Sequence, residues 1–263
     1  MLNYLSAELY KLRFHAGLYL GTALLLLLEL LVFLPGIMIR EVGRDYIPWD
    51  VLLGFMVSAM MVGIFIAPIF AAMVFDNQYG NGTMKNEIVF GMPRSRIYLG
   101  KMLAGAIAGT LVALLSVGFF LGLTFLLGGP PTAAGEYLVE FYLEGILTQW
   151  LIWLGVYAFS FWVLYLLHSS IGAILVTYMT ILFSPMFVAI LMEGNNIALP
   201  WKLAGELSFM APLVQMWLGG NIHNLVLEFL GGNSLVYAGV ICLLWWLLSI
   251  GTGWLILSRR EIK

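Results

Sequence analysis

The sequence predicts an all-α integral membrane protein: six transmembrane helices, an N-terminal amphipathic interfacial helix, a cytoplasmic helix between spans two and three, and short outer-face helices between spans five and six. Three observations carry that prediction. First, the 263 residues are 62% hydrophobic and only 10% charged, with a mean hydropathy of +0.99. An ordinary soluble domain is about 45–50% apolar and about 25% charged, and a chain of this size cannot bury such an excess in water. A soluble enzyme, a nucleic-acid binder and a disordered chain are thereby excluded. Second, the apolar runs reach the roughly 20 residues that a helix needs to cross the hydrocarbon core. Third, they lack the apolar–polar alternation of a membrane β-barrel strand.

The spans are expected at residues 16–34, 51–75, 102–127, 145–167, 169–192 and 234–257. Only the first holds a charge, Glu29. It is read as a retained span, because its apolar stretch is too long for a signal peptide and no small-residue cleavage site follows it. Residues 1–14 form the interfacial helix, with Leu2, Leu5, Leu9 and Leu12 on one face and Glu8, Lys11 and Arg13 off that stripe. An anchor and a partner contact are both compatible with it.

Nine of the twelve basic residues fall on one side of the predicted topology: Lys11, Arg13, Lys85, Arg94, Arg96, Lys101, Arg259, Arg260 and Lys263. By the positive-inside rule both termini are cytoplasmic, in the cell (plasma) membrane. Residues 193–233 form an outer-face segment. Its apolar part from Leu203 to Leu230 carries Glu206, Glu228, His223 and Pro212, and reads as two short helices at the outer interface or as a loop with helical turns. Gly128-Gly129-Pro130-Pro131 reads as a turn. Residues 1–263 make one transmembrane domain.

The longest charged stretch is the cytoplasmic loop 76–101. Gly80 and Gly82 break the preceding helix, Thr83 is a good N-cap, a short helix follows from Met84 to about Phe90, and Gly91 can end it. Pro93 suits the first turn of the next helix. Met84, Ile88 and Val89 form an apolar edge beside Lys85, Asn86 and Glu87. Joined to two spans, such a helix could pass a push from a soluble partner into the membrane. A solvated positive loop that merely sets topology explains the same spacing.

The pattern Asp76, Tyr79, Gly82-Thr83, Lys85-Asn86, Gly91, Arg94, Ile97-Tyr98 and Lys101 resembles the loop of ABC-2 type transporter permeases. It is most similar to the six-span subunits of bacterial peptide and bacteriocin exporters and immunity transporters. Glu8-Leu9-x-Lys11-Leu12 and Arg259-Arg260-Glu261 are similar to that family's ends, whereas the Asn81-Gly82 step before Thr83 is longer than in many relatives. The resemblance implies that Thr83, Met84, Lys85, Asn86, Glu87, Ile88, Val89, Phe90 and Gly91 are the coupling helix docked in a groove of an ATPase subunit. Asp76, Arg94, Arg96 and Lys101 would flank it at the membrane surface, where most of these basic residues could equally hold lipid headgroups.

The chain lacks the Gly-Lys-Ser/Thr ending of a phosphate loop. The implied transporter therefore needs a separate ATP-binding cassette ATPase carrying ATP and Mg, with no cofactor in this chain, and a second permease copy or paralogue. Glu29 is a candidate for the transport path or the subunit interface; a protonated carboxyl, or one bonded to a neighbouring helix, is the competing reading. The histidines lack metal-ligand spacing and no Gly-x-Ser-x-Gly elbow occurs, so no catalytic or metal residue is assigned.

The expected function is a permease subunit moving hydrophobic or amphipathic substrates, with peptides or antibiotics favoured through the resemblance. The alternative is a non-transporting membrane anchor or sensor that signals through a cytoplasmic partner. An intramembrane enzyme ranks last, because the spans supply only Glu29 and scattered Ser, Thr and Asn.

Overall fold

The computed structural model describes residues 2–41, 47–79, 87–89, 91–130, 135–167, 169–193, 198–218 and 224–259. Eleven helices are named here: α1 (Leu2–Arg13), α2 (Ala16–Glu41), α3 (Trp49–Gly63), α4 (Ala67–Tyr79), α5 (Arg94–Leu127), α6 (Gly135–Leu167), α7 (Ser170–Glu193), α8 (Leu199–Glu206), α9 (Ala211–Leu218), α10 (Leu225–Phe229) and α11 (Ser234–Arg259). A two-residue parallel pairing, β1 (Ile47–Pro48) with β2 (Gly128–Gly129), joins the end of the first connection to the end of α5.

This is an all-α membrane architecture. Among the described residues, five stretches are long and apolar enough to span a bilayer: Trp49–Phe75, Arg94–Leu127, Val139–Leu167, Ser170–Met192 and Ser234–Ile256. A sixth arises if α1 and the Ala16–Leu31 part of α2, bent by 65° at their junction, count as one. At that elbow the Gly17 N–H donates to Nδ1 of His15 at 3.1 Å.

Three details depart from the sequence expectation. The second span is broken by a turn of 3-10 helix at Ile64–Ile66. Pro68 explains it: proline has no N–H to donate, and its ring clashes with the carbonyl four residues back, that of Ile64. The third span begins at Arg94 rather than at residue 102, so the helix continues past Lys101 into the loop. Among the described residues, the segment 193–233 holds three short helices, α8, α9 and α10, where the sequence suggested two.

α6 is the central helix, lying against α11, α3 and α4. Its most apolar window is 61% buried, against 17% for those of α5 and α7. An aromatic core of Tyr98, Tyr157, Phe161 and Tyr165 joins α5 to α6, with Tyr98 and Tyr165 edge to face at 4.7 Å. The small residues of α5 make room for it. A Cβ at Gly105 would overlap the Tyr157 hydroxyl, and one at Gly109 would overlap the Trp153 ring. Close approach between spans is driven by such packing, because lipid tails are as apolar as the helices themselves.

Candidate functional site

The loop between α4 and α5 is described at residues 87–89 and 91–93. Thr83, Met84, Lys85, Asn86 and Phe90 lie outside the described residues, as does the side chain of Asp76. Glu87–Val89 is helical, and Gly91 ends it with φ +86°. The Gly91 N–H reaches the Ile88 carbonyl at 2.9 Å, and the Met92 N–H reaches that of Glu87 at 3.1 Å. That bond pair is a Schellman C-cap, which favours glycine because its left-handed backbone strains any residue bearing a Cβ. Pro93 then caps α5, its carbonyl accepting from the Arg96 and Ile97 N–H groups at 2.9 and 3.2 Å. The tight Gly91-Met92-Pro93 connection joins the helical Glu87–Val89 directly to α5.

α1 lies across this connection. Its Tyr4 hydroxyl donates to Oε2 of Glu87 at 2.9 Å. Glu8 pairs with Lys11 at 2.7 Å and with Lys101 of α5 at 3.3 Å, and Lys11 also reaches Glu87 at 3.6 Å. The Glu8 and Lys101 side chains are only 3% and 2% exposed. Gly100 admits the Tyr4 ring, which any Cβ there would strike. Lys101 is therefore not a surface flank: it is buried under α1, neutralised by Glu8. Glu8, read as lying off the packing stripe, is on the buried face, whereas Leu2 of the stripe is 79% exposed. Spacing counts apolar residues and could not see that a lysine on another helix waits opposite Glu8. Arg96 is exposed beside a cleft shared with Tyr4 and Met92, and Arg94 is half-buried.

The electrostatics follow from this geometry. Burial raises the Glu8 carboxyl; the Lys101 and Lys11 ammonium groups outweigh it and hold the group below its usual value. Burial, then the charges of Glu8 and Glu87, push the Tyr4 phenol above its ordinary value, so it stays a hydrogen-bond donor. The junction thus ties three chain segments together through charge-assisted bonds.

Glu29 lies inside the bundle, 2% exposed, accepting from the Ser116 hydroxyl of α5. Its second oxygen has no partner among the described residues. Ser116 also lines a cavity of about 40 Å³ with Gln149, Trp150 and Trp153 of α6, room for a water molecule. The sequence reading did not anticipate Glu206. Wholly buried, its carboxylate accepts from the Leu225 and Val226 N–H groups at 3.1 Å each and caps α10. Among the described residues no three His, Cys, Asp or Glu side chains gather as a metal site.

Residues 4–184 match the family described as ABC-2 family transporter protein. A comparison with curated proteins finds no match. The match spans α1, the loop and the Glu29 region, and family membership implies an ATP-binding cassette ATPase as partner. This multi-pass membrane chain belongs to the ABC-2 transporter family.

Proposed function

We propose that the chain is the membrane-spanning permease subunit of an ATP-binding cassette exporter, moving hydrophobic or amphipathic substrates, with peptides or antibiotics favoured. The observation that carries this reading is the junction of Tyr4, Glu8, Glu87 and Lys101. Thr83–Gly91 is the docking helix for the ATPase, flanked by Asp76, Arg94 and Arg96. α1 rests in the inner membrane interface with both termini cytoplasmic, and α8–α10 lie at the outer face. ATP and Mg bind on the partner. Closure of two ATPase subunits displaces the docking helix. The junction passes that displacement to α1 and α5, so that two six-span halves, this chain and a second copy or paralogue, rock and open outward.

Glu29 fits this scheme as a polar element of the interior beside a small cavity. Glu29→Gln is expected to weaken export of cationic substrates; unchanged export would remove Glu29 from the path.

The deciding experiment is capture of the ATPase by the detergent-solubilised permease. Replacing residues 83–91 by a Gly-Ser linker should abolish capture in protein that still folds, judged by its unfolding midpoint. Retained capture, or a topology with loop 76–101 outside, overturns the reading. Substrate-stimulated ATP hydrolysis distinguishes an exporter from an anchor or sensor that uses the same junction.

A further inference from the structure

We propose that a trough between α1, α2 and α5 holds one acyl chain of an anionic phospholipid, with Arg13 at its headgroup end. The trough encloses about 620 Å³, inside the roughly 300–1,000 Å³ of ligand-sized sites. Its walls include Leu12 and Arg13 of α1, Leu18 and Leu26 of α2, and Leu111 and Leu115 of α5.

Length selects the occupant. Leu26 lies ten residues beyond Ala16 along α2, about 15 Å at 1.5 Å per residue. That is half of the roughly 30 Å hydrocarbon core. With α1 in the inner interface, the trough begins at the headgroups and stops at the midplane, the depth of one chain of one leaflet. This step rests on the interfacial placement of α1, not on ATPase docking.

Polarity selects the headgroup. Arg13 is exposed at the elbow, and the Tyr19 hydroxyl donates to its carbonyl at 2.7 Å. Exposed Tyr10 of α1 and Phe14 at the elbow meet edge to face at 5.0 Å, an aromatic pairing suited to the bilayer interface. Deeper in the trough the one hydroxyl, that of Thr22, is turned inward to the Leu18 carbonyl at 2.7 Å. The occupant is therefore apolar along its length and anionic at one end. A second copy packed here about a two-fold axis would bring a second Arg13 toward the first, whereas a phosphate neutralises it with charge-assisted bonds.

The test uses the full chain in bilayer discs of equal phosphatidylglycerol and phosphatidylcholine with identical acyl chains. After extraction, retained lipid is identified by native mass spectrometry. Wild type should retain phosphatidylglycerol over phosphatidylcholine by about fivefold, the size expected of one basic residue at an anionic surface. Arg13→Gln should erase the preference. Ala23→Phe, at an exposed position on the trough wall, should lower retention of both lipids while ATPase capture is unchanged. Ala23→Cys carrying a photo-crosslinking maleimide should capture phospholipid. Equal retention of the two lipids by wild type, full retention by Ala23→Phe, or capture of a second copy of the chain at position 23 would each overturn the assignment. Loss of ATPase capture in wild type would instead strike the docking reading alone.

Discussion

Two buried carboxylates organise opposite ends of the bundle by different chemistry. Glu8 is met by ammonium groups on long side chains, Lys11 one turn away and Lys101 on another helix. Glu206 is met by the main-chain N–H groups of Leu225 and Val226, while the Tyr237 hydroxyl donates to its backbone carbonyl. An ion pair between separate elements breaks when one element moves or a proton arrives. A backbone cap is bonded to atoms whose positions the capped helix itself sets. The end proposed to receive the ATPase stroke is thus built from bonds that can be exchanged, and the far end from bonds that hold still.

Substitutions can break that comparison, beginning with the largest effect. Lys101→Met leaves Glu8 buried beside Lys11 alone, and removing one partner of a buried pair costs about 3–5 kcal/mol. The unfolding midpoint in detergent should fall accordingly, and adding Glu8→Gln should restore part of the loss. An unchanged midpoint would mean that the pair is not a structural tie. Glu206→Ala removes the acceptor of two half-buried N–H groups and should cost about 2 kcal/mol. Its effect should appear as faster hydrogen exchange over Leu225–Phe229, with exchange at Glu87–Val89 unaltered. Spread of the effect to the loop would abolish the contrast between the ends.

Acid sharpens the contrast further. The Glu8 carboxyl sits below the ordinary 4.5 in the folded chain. Its contribution is therefore full above that ordinary value and is lost as the pH falls through the lower folded value. The midpoint difference between wild type and Glu8→Gln should be constant near neutrality and close in acid. A difference that grows on acidification would reverse the sign of the linkage. The smallest effect is expected from Tyr4→Phe, which removes one hydrogen bond to Glu87 and should cost about 1 kcal/mol. Hydrogen exchange over Glu87–Val89 should rise modestly; no change would show that α1 does not steady the loop.

The long apolar helices were legible because an uninterrupted apolar run of bilayer length leaves few other readings. The helix stop at Gly91 and the helix start after Pro93 were legible because each rests on a local backbone property of a single residue. The partners of Glu8 and Lys101 were not, since they stand 93 positions apart, and only the crossing of α1 over α5 brings them together. The same holds for Glu29 and Ser116, 87 positions apart. The charge that made the outer segment hard to read, Glu206, serves a helix end that begins 19 residues later.

Composition and local pattern were enough to place this chain in a membrane as a bundle of long apolar helices, because transfer of apolar side chains and turn chemistry are local sums. Which charges are buried, and what answers each of them, followed only from how the helices pack. A buried charge is tolerated when a partner lies within a few ångströms, and distance across the fold is a property of packed helices, not of neighbours in the chain.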